Sequence, residues 1–298
     1  MIQDHAEAVG TAAAEQGVDV GELLMHHTAD AYGLDFSPLF HVTWGKIFPD
    51  MHLGPIEFNL TPTKHVVYMI LAAFLVFVTM WWTGRRLEKQ RAGERAPKGV
   101  ANALEGIALW VRDDIAINSI GHDGARFAPY IMALFFFILY CNLLGLVPWG
   151  ATPTGNVAVT AGLALLSLVV IEVSGMLKLG FKGYMHTIFP VVPGMSGAGA
   201  VVLSVMLGPI ELLGKLVKPL ALCVRLFGNM TAGHFAILAL FGMIFLFGHV
   251  ETWRWAIGGA SAAMVLAIMV LELVVAFVQA YVFTLITAVL IGVNQHAH

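Results

Sequence analysis

Charge is what this sequence has least of. Of its 298 residues, 12% are charged and 58% hydrophobic, where a soluble domain carries about a quarter of charged residues; the mean hydropathy is +0.80. An ordinary soluble domain is excluded, and an integral membrane protein remains. The scarcity is uneven, because 25 of the 35 Lys, Arg, Asp and Glu residues precede position 127 and only 10 fill the remaining 172 positions. The C-terminal half is therefore mostly lipid-embedded. Only two cysteines are present, Cys141 and Cys223, both inside apolar runs, which excludes a disulfide framework and leaves no metal-ligand spacing. A formal net charge of −3 brings no basic surplus, which argues against nucleic acid as a partner. There is no basic segment with a short apolar core at the start, so no cleaved signal peptide is expected. A glycine-rich phosphate loop is also missing, so neither nucleotide chemistry nor a cofactor is expected in this chain.

What is there begins with an acidic arm, residues 1–57, holding nine acidic residues and one lysine, Lys46. Six histidines lie in or near it (His5, His26, His27, His41, His52 and His65), but no carboxylate or cysteine stands at ligand spacing beside them, and the arm reads as solvated. The membrane domain is placed at 58–298. Its first span, about 66–83, is uninterrupted by charge and ends in the pair Trp81 and Trp82, which suits an interfacial anchor. Arg85, Arg86, Lys89, Arg91, Arg95 and Lys98 follow. By the positive-inside rule this stretch is cytoplasmic and the N-terminus lies outside. In 98–120 the apolar positions Val100, Leu104, Ile107, Val111 and Ile115 recur at helical spacing against Glu105, Arg112, Asp113 and Asp114, which predicts an amphipathic helix on the cytoplasmic surface. Residues 127–147 and 157–177 are two further spans, joined by an uncharged Pro- and Gly-containing loop and followed by the cytoplasmic Lys178 and Lys182. The Pro- and Gly-rich segment 187–199 is not a regular helix on this reading.

The last two apolar blocks, 199–247 and 255–293, have 49 and 39 residues. As helices they extend roughly 74 and 58 Å, against a hydrocarbon core of about 30 Å. Neither fits upright, so both are expected to be steeply tilted, the first bending at Pro209 and Pro219. Five crossings leave the C-terminus in the cytoplasm. The fold class is thus an all-α integral membrane protein with about five membrane-crossing helices and one surface helix.

An ionisable group at membrane depth is costly and marks function by default. On a helical wheel Glu211, Lys215, Lys218, Arg225 and Asn229 lie within about 40° of one direction, forming a polar stripe. Two readings fit its first half, since Glu211 and Lys215 can form an i,i+4 pair and both lysines can snorkel to the interface. Arg225 stands about 10 Å further along the axis, flanked by apolar residues. It is always protonated, so it cannot carry protons and must face a cavity, a partner subunit or a packing salt bridge to Glu172 or Glu272. The final block holds one charge, Glu272, with Gln279 on the same face. If the two long helices are antiparallel neighbours, Arg225 with Gln279 and His234 with Glu272 give nearly constant index sums, 504 and 506. That geometry predicts a His–Glu pair on the outer side of Arg225, with Glu211 on its cytoplasmic side. Titratable groups flanking a fixed cation describe two half-paths separated by an electrostatic barrier, and Glu, His and Asn are relay residues.

The motif PLALCVRLFGNMTAGH (219–234), followed by LELVVAFVQAYVFTL (271–285), closely resembles subunit a of the F-type ATP synthase membrane sector. The similarity runs over 56–292 and includes FFFILYCNLLGLVP (135–148) and PTGNVAVT (153–160), whereas the arm 1–55 has no match. The resemblance implies a stator subunit in a bacterial plasma membrane whose two long helices lie against a rotating ring of c subunits. Peripheral-stalk b subunits and the rest of the ATP synthase complex are the other partners it implies, together with the lipid bilayer and translocated H⁺. Arg225 matches the family's essential arginine, which faces the ring's carboxylate and separates the half-channels. Glu211, Asn229 and Gln279 match polar positions of the ion path or its arginine. Asn142 and Asn156 occupy positions similar to polar residues of the outer half-channel; for Asn142 a helix-packing hydrogen bond is an equal alternative. His234 and Glu272 depart from one well-known bacterial pattern, which has Glu first and His second, while keeping one acid and one imidazole.

Three function classes compete on these residues. A secondary transporter also has polar mid-membrane residues and broken helices but usually shows two repeated halves, and no internal repeat is found here. A purely structural scaffold does not need Arg225 at depth. The stator reading gives roles to Arg225, Glu272, Glu211 and His234 and expects nucleotide chemistry in a partner.

Overall fold

The computed structural model describes residues 31–36, 40–45, 51–53, 56–58, 61–91, 99–147, 150–189, 198–247 and 254–296. Residues 1–30 of the arm, Arg95 and Lys98 of the basic stretch, most of the 187–199 segment and most of the connection 249–255 lie outside them.

Six helical stretches follow the arm in the order α1 (Lys64–Arg91), α2 (Val100–Trp110), α3 (Gly124–Gly145), α4 (Val157–Ile188), α5 (Ala198–Phe247) and α6 (Arg254–His296). Within the described residues, α1, α3, α4 and α6 each contain a segment long and apolar enough to cross a membrane. The protein is thus a helical, multi-pass membrane protein. Each apolar block expected as a span from about 66, 127, 157, 199 and 255 begins a helix within three residues of that position. Their ends differ more. α1 runs on to Arg91, with the Arg85 guanidinium 4.2 Å from the centre of the Trp81 ring, a cation–π contact that holds the basic end at the aromatic anchor. α4 continues to Ile188 through a break at Gly180 (φ 71, ψ 169), a backbone state that suits glycine. α5 has 50 residues and α6 has 43, about twice the roughly 20 that a perpendicular crossing needs. α5 includes both Pro209 and Pro219 as a single helix.

The chain divides into two compact units. One combines residues up to Lys64 with Asn229–Val274. Here the arm holds two antiparallel hairpins, β1 (Gly33–Phe36) with β2 (Phe40–Thr43) and β3 (Met51–Leu53) with β4 (Ile56–Phe58), in registers that include Gly33 opposite Thr43 and Met51 opposite Phe58. Trp44 ties the first hairpin back to the chain, its indole Nε1 donating to the Pro62 carbonyl at 2.8 Å. The solvated arm of the sequence reading therefore contains strands, built from Phe, Leu, Val, Ile and Thr segments too short to show a period.

The other unit comprises His65–Gly228 and Val275–His298. Its core is centred on α3, where Ile131, Phe135, Phe136 and Ile138 are fully enclosed by Ile171 of α4, Leu222 and Leu226 of α5, and Phe283 and Ile291 of α6. α2 passes without a break into a π-helical stretch, Val111–Ile117, and a last turn, Asn118–Ile120. Widening the turn brings Val111, Ile115, Ala116 and Ile120 to one buried face while Arg112, Asp113 and Asp114 stay exposed. The expected surface helix is thus amphipathic, but its apolar face packs on protein, and Trp110 stacks on Phe277 and Tyr281.

A buried polar knot fastens the α3–α4 connection. Asn142, with no exposed surface, donates from Nδ2 to the Ala276 carbonyl (3.2 Å) and accepts at Oδ1 from the Thr154 hydroxyl (2.8 Å). Thr152 donates to the Cys141 carbonyl (3.3 Å) and lies 3.0 Å from Thr154. Asn142→Leu keeps the volume but removes the acceptor of the Thr154 hydroxyl and the side-chain donor to the Ala276 carbonyl, at about 0.5–1.5 kcal/mol for each bond lost. A clearly lower thermal unfolding midpoint of the purified chain is expected; an unchanged midpoint means that the knot does not stabilise the fold.

Candidate functional site

The polar stripe of α5 separates into inward and outward members. Glu211, Lys218, Arg225 and Asn229 are exposed, while Lys215 turns inward with 12% of its side chain exposed. Lys215 Nζ donates to Thr187 Oγ1 (3.0 Å) and Asn294 Oδ1 (3.2 Å) and stands 3.5 Å from Glu172 Oε2. The same ammonium lies 4.6 Å from the centre of the Tyr184 ring, whose hydroxyl donates to Glu172. Asn294 completes the cluster by donating to the Ile171 carbonyl (2.9 Å), and Gly175 leaves the room it occupies. One cation thereby joins α4, α5 and α6. The cluster borders a cavity of about 260 Å³ whose polar lining includes Glu172, His186, Glu211, Lys215, Lys218 and Asn294. Of the readings open for the lysines, snorkelling suits exposed Lys218, whereas Lys215 has an inward partner, Glu172. Sequence reasoning used Glu172 only as an alternative partner for Arg225. Its being the single charge within 157–177 was the signal available.

Arg225 stands differently. Leu222, Cys223 and Leu226 beside it are buried, while Leu213, Val217, Leu220 and Val224 share its exposure. Among the described residues its side chain makes no hydrogen bond or ion pair. The result is a permanent cation on an apolar, outward surface of α5. A guanidinium at the centre of a bilayer costs at least about 2.5–3.5 kcal/mol, so this surface is suited to a partner that brings an acid.

His234 and Glu272, paired by index sum from the sequence, are adjacent, with His234 Nδ1 3.8 Å from Glu272 Oε1. Nδ1 also donates to the Met230 carbonyl at 3.0 Å, which fixes the orientation of the imidazole beside Glu272. Glu272 is 5% exposed, and both carboxylate oxygens are buried without a hydrogen bond. The carboxylate sits where a Cβ on residue 233 would be, so Gly233 makes its seat. A buried acceptor pair of this kind calls for a functional account.

The remaining sequence candidates have definite places. Gln279 is buried on α6. Asn142 is held by the packing bonds of the polar knot, and Asn156 caps α4, its Oδ1 accepting from the Ala158 N–H at 2.8 Å.

The Lys215 cluster yields a direct test. Lys215→Met leaves Glu172 an uncompensated, largely buried charge and is expected to cost about 3–5 kcal/mol, whereas Lys215→Met with Glu172→Gln recovers most of it. Thermal unfolding of the two variants measures the difference; equal destabilisation by single and double means that the pair is not coupled.

Comparison with known proteins converges on one group. The sequence profile of the family described as ATP synthase A chain matches residues 66–292. "ATP synthase subunit a 2" of Chlorobaculum tepidum is 40% identical over 294 residues, covering 98% of this chain and 78% of that protein. "ATP synthase subunit a" of Chloroherpeton thalassium is 40% identical over 271 residues (90% and 75%), and that of Myxococcus xanthus 42% over 252 (84% and 77%). A match spanning this much of the chain, through both long helices and the Arg225 motif, makes the chain a member of the ATP synthase A chain family.

Proposed function

We propose that this chain is the ion-translocating stator subunit of an F-type ATP synthase, supplying two offset proton half-channels to a c-subunit ring and so coupling proton flow to rotation and ATP synthesis. The observation that carries the reading is Arg225, exposed among apolar residues and without a partner among the described residues. A ring carboxylate passing the guanidinium is held ionised by it; the same carboxylate facing lipid pays for desolvation and takes up a proton. Rotation is then biased by the side from which the proton comes. On this reading the outer path runs by Asn156, Glu272 and His234, whose imidazole is held in orientation by the Nδ1 bond to Met230. The inner path leaves by Glu211 and its cavity. Asn229 and Gln279 serve the path or the arginine, and Asn142 holds the outer entrance in shape. Peripheral-stalk b subunits hold the chain still, nucleotide chemistry resides elsewhere in the complex, and the membrane is a bacterial plasma membrane with the N-terminus outside and the C-terminus in the cytoplasm.

In vesicles carrying the reconstituted complex, Arg225→Ala is expected to reduce ATP-driven acidification to background; pumping at the parental rate overturns the proposal. For the outer path, His234→Ala and Glu272→Ala are each expected to lower pumping about tenfold or more, that is about 1.4 kcal/mol or more of barrier. The double variant should be little worse than the poorer single, and strict additivity argues against a shared step.

A further inference from the structure

A second cavity, of about 400 Å³, opens beside α4 and the start of α3, and the ion path makes no use of it. Its size falls within the roughly 300–1,000 Å³ usual for small-ligand sites. One end is charged, with Asp123, Arg126 and Lys178. One wall is apolar: Val169, Val173 and Leu177, at i, i+4 and i+8 along α4, are 51%, 45% and 76% exposed. The lining also holds two buried polar residues, Ser174 and Gln295, each 5% exposed. Ser174 is satisfied by the Ile171 carbonyl (2.8 Å), but Gln295 Oε1 is buried with no hydrogen-bond partner.

These features specify a ligand. The positive end of the α3 dipole favours an anion there, and with Lys178 paired to Asp123 the guanidinium of Arg126 is the surplus cation. Asp123 senses the same field: the hydrogen bond from Lys178 holds its carboxyl below the usual carboxylate range, with lesser help from His122 and Arg126. The unpartnered Gln295 oxygen calls for a donor from the ligand. An apolar wall along a membrane helix calls for an acyl chain. We propose that this groove binds one anionic phospholipid whose headgroup bears a hydroxyl, of the phosphatidylglycerol type. Its phosphodiester lies at the N-terminus of α3 against Arg126 and Lys178, its headgroup hydroxyl donates to Gln295 Oε1, and one acyl chain follows Val169, Val173 and Leu177. A choline headgroup offers no donor and no net charge, and ethanolamine offers a donor only. The inference rests on the chain's being membrane-embedded and is independent of the ion path.

The test is lipid retention by the assembled complex, purified in detergent, equilibrated with mixed micelles of equal phosphatidylglycerol, phosphatidylethanolamine and phosphatidylcholine, and counted by mass spectrometry. The complex should retain phosphatidylglycerol several-fold over phosphatidylcholine, with phosphatidylethanolamine between. Arg126→Ala with Lys178→Ala should abolish the excess and Arg126→Lys should keep it, while Gln295→Leu should narrow the preference with no change of charge. No preference in the unaltered complex, which needs no variant to fold, overturns the proposal, as does an excess undiminished in the double variant. Millimolar inorganic phosphate that removes the preference completely assigns the charged end to free phosphate and overturns the lipid.

Discussion

An ionised side chain in hydrocarbon must find water, a dipole or a counter-charge, and the cost of failing is larger than most single packing contacts. That constraint organises this chain. Charges within the long helices meet it in different ways: Lys215 by three acceptors and a ring face, Glu272 by an imidazole, Glu211 and Lys218 by a cavity. Arg225 alone is set outward among apolar side chains. A group arranged so costs free energy in the isolated chain, and in the proposed stator a passing acid is what removes that cost.

The rest of the second unit is built to keep those groups from drifting. Half of the α3 span is buried, against 17–28% of the spans in α1, α4 and α6, so α3 is the post around which the others pack. Its polar knot through Asn142, Thr152 and Thr154 places every hydrogen bond inside protein, where no water competes. The π-helical turn after α2 closes the same core from another side. Strong, fully paired polar contacts thus belong to the frame, while the residues read as mobile in charge are the weakly paired ones.

Much of this was legible in the residues. Helix starts followed from apolar runs, and Arg225 stood out as a charge flanked by apolar residues. The His234–Glu272 contact followed from index arithmetic, since antiparallel helices leave little freedom of register. What escaped had physical reasons. The β1–β2 and β3–β4 hairpins are three or four residues per strand, too short for period-2 alternation to show. The Lys215 cluster joins residues 43 and 79 positions apart in sequence, and its ring contact and threonine acceptor have no one-dimensional signature. The extension of α4 past Lys178 depends on a positive φ at Gly180, which composition does not announce. For Asn142 the packing hydrogen bond was one of the two readings open from the sequence, whereas the helix-cap bond of Asn156 was not anticipated.

The Lys215 cluster also has a mechanical side. In the proposed stator, α5 borders a turning rotor and receives a sideways push with every step, which the frame has to return. Lys215 is a pin set through α5, with one end of the load passing to Glu172, Tyr184 and Thr187 of α4 and the other to Asn294 near the end of α6. Charge-assisted bonds resist shear over short distances far better than sliding apolar ridges do. Under torque, α5 would therefore yield first away from this pin, which makes the stretch around residue 215 the stiff footing and the more distant turns of the helix the compliant part.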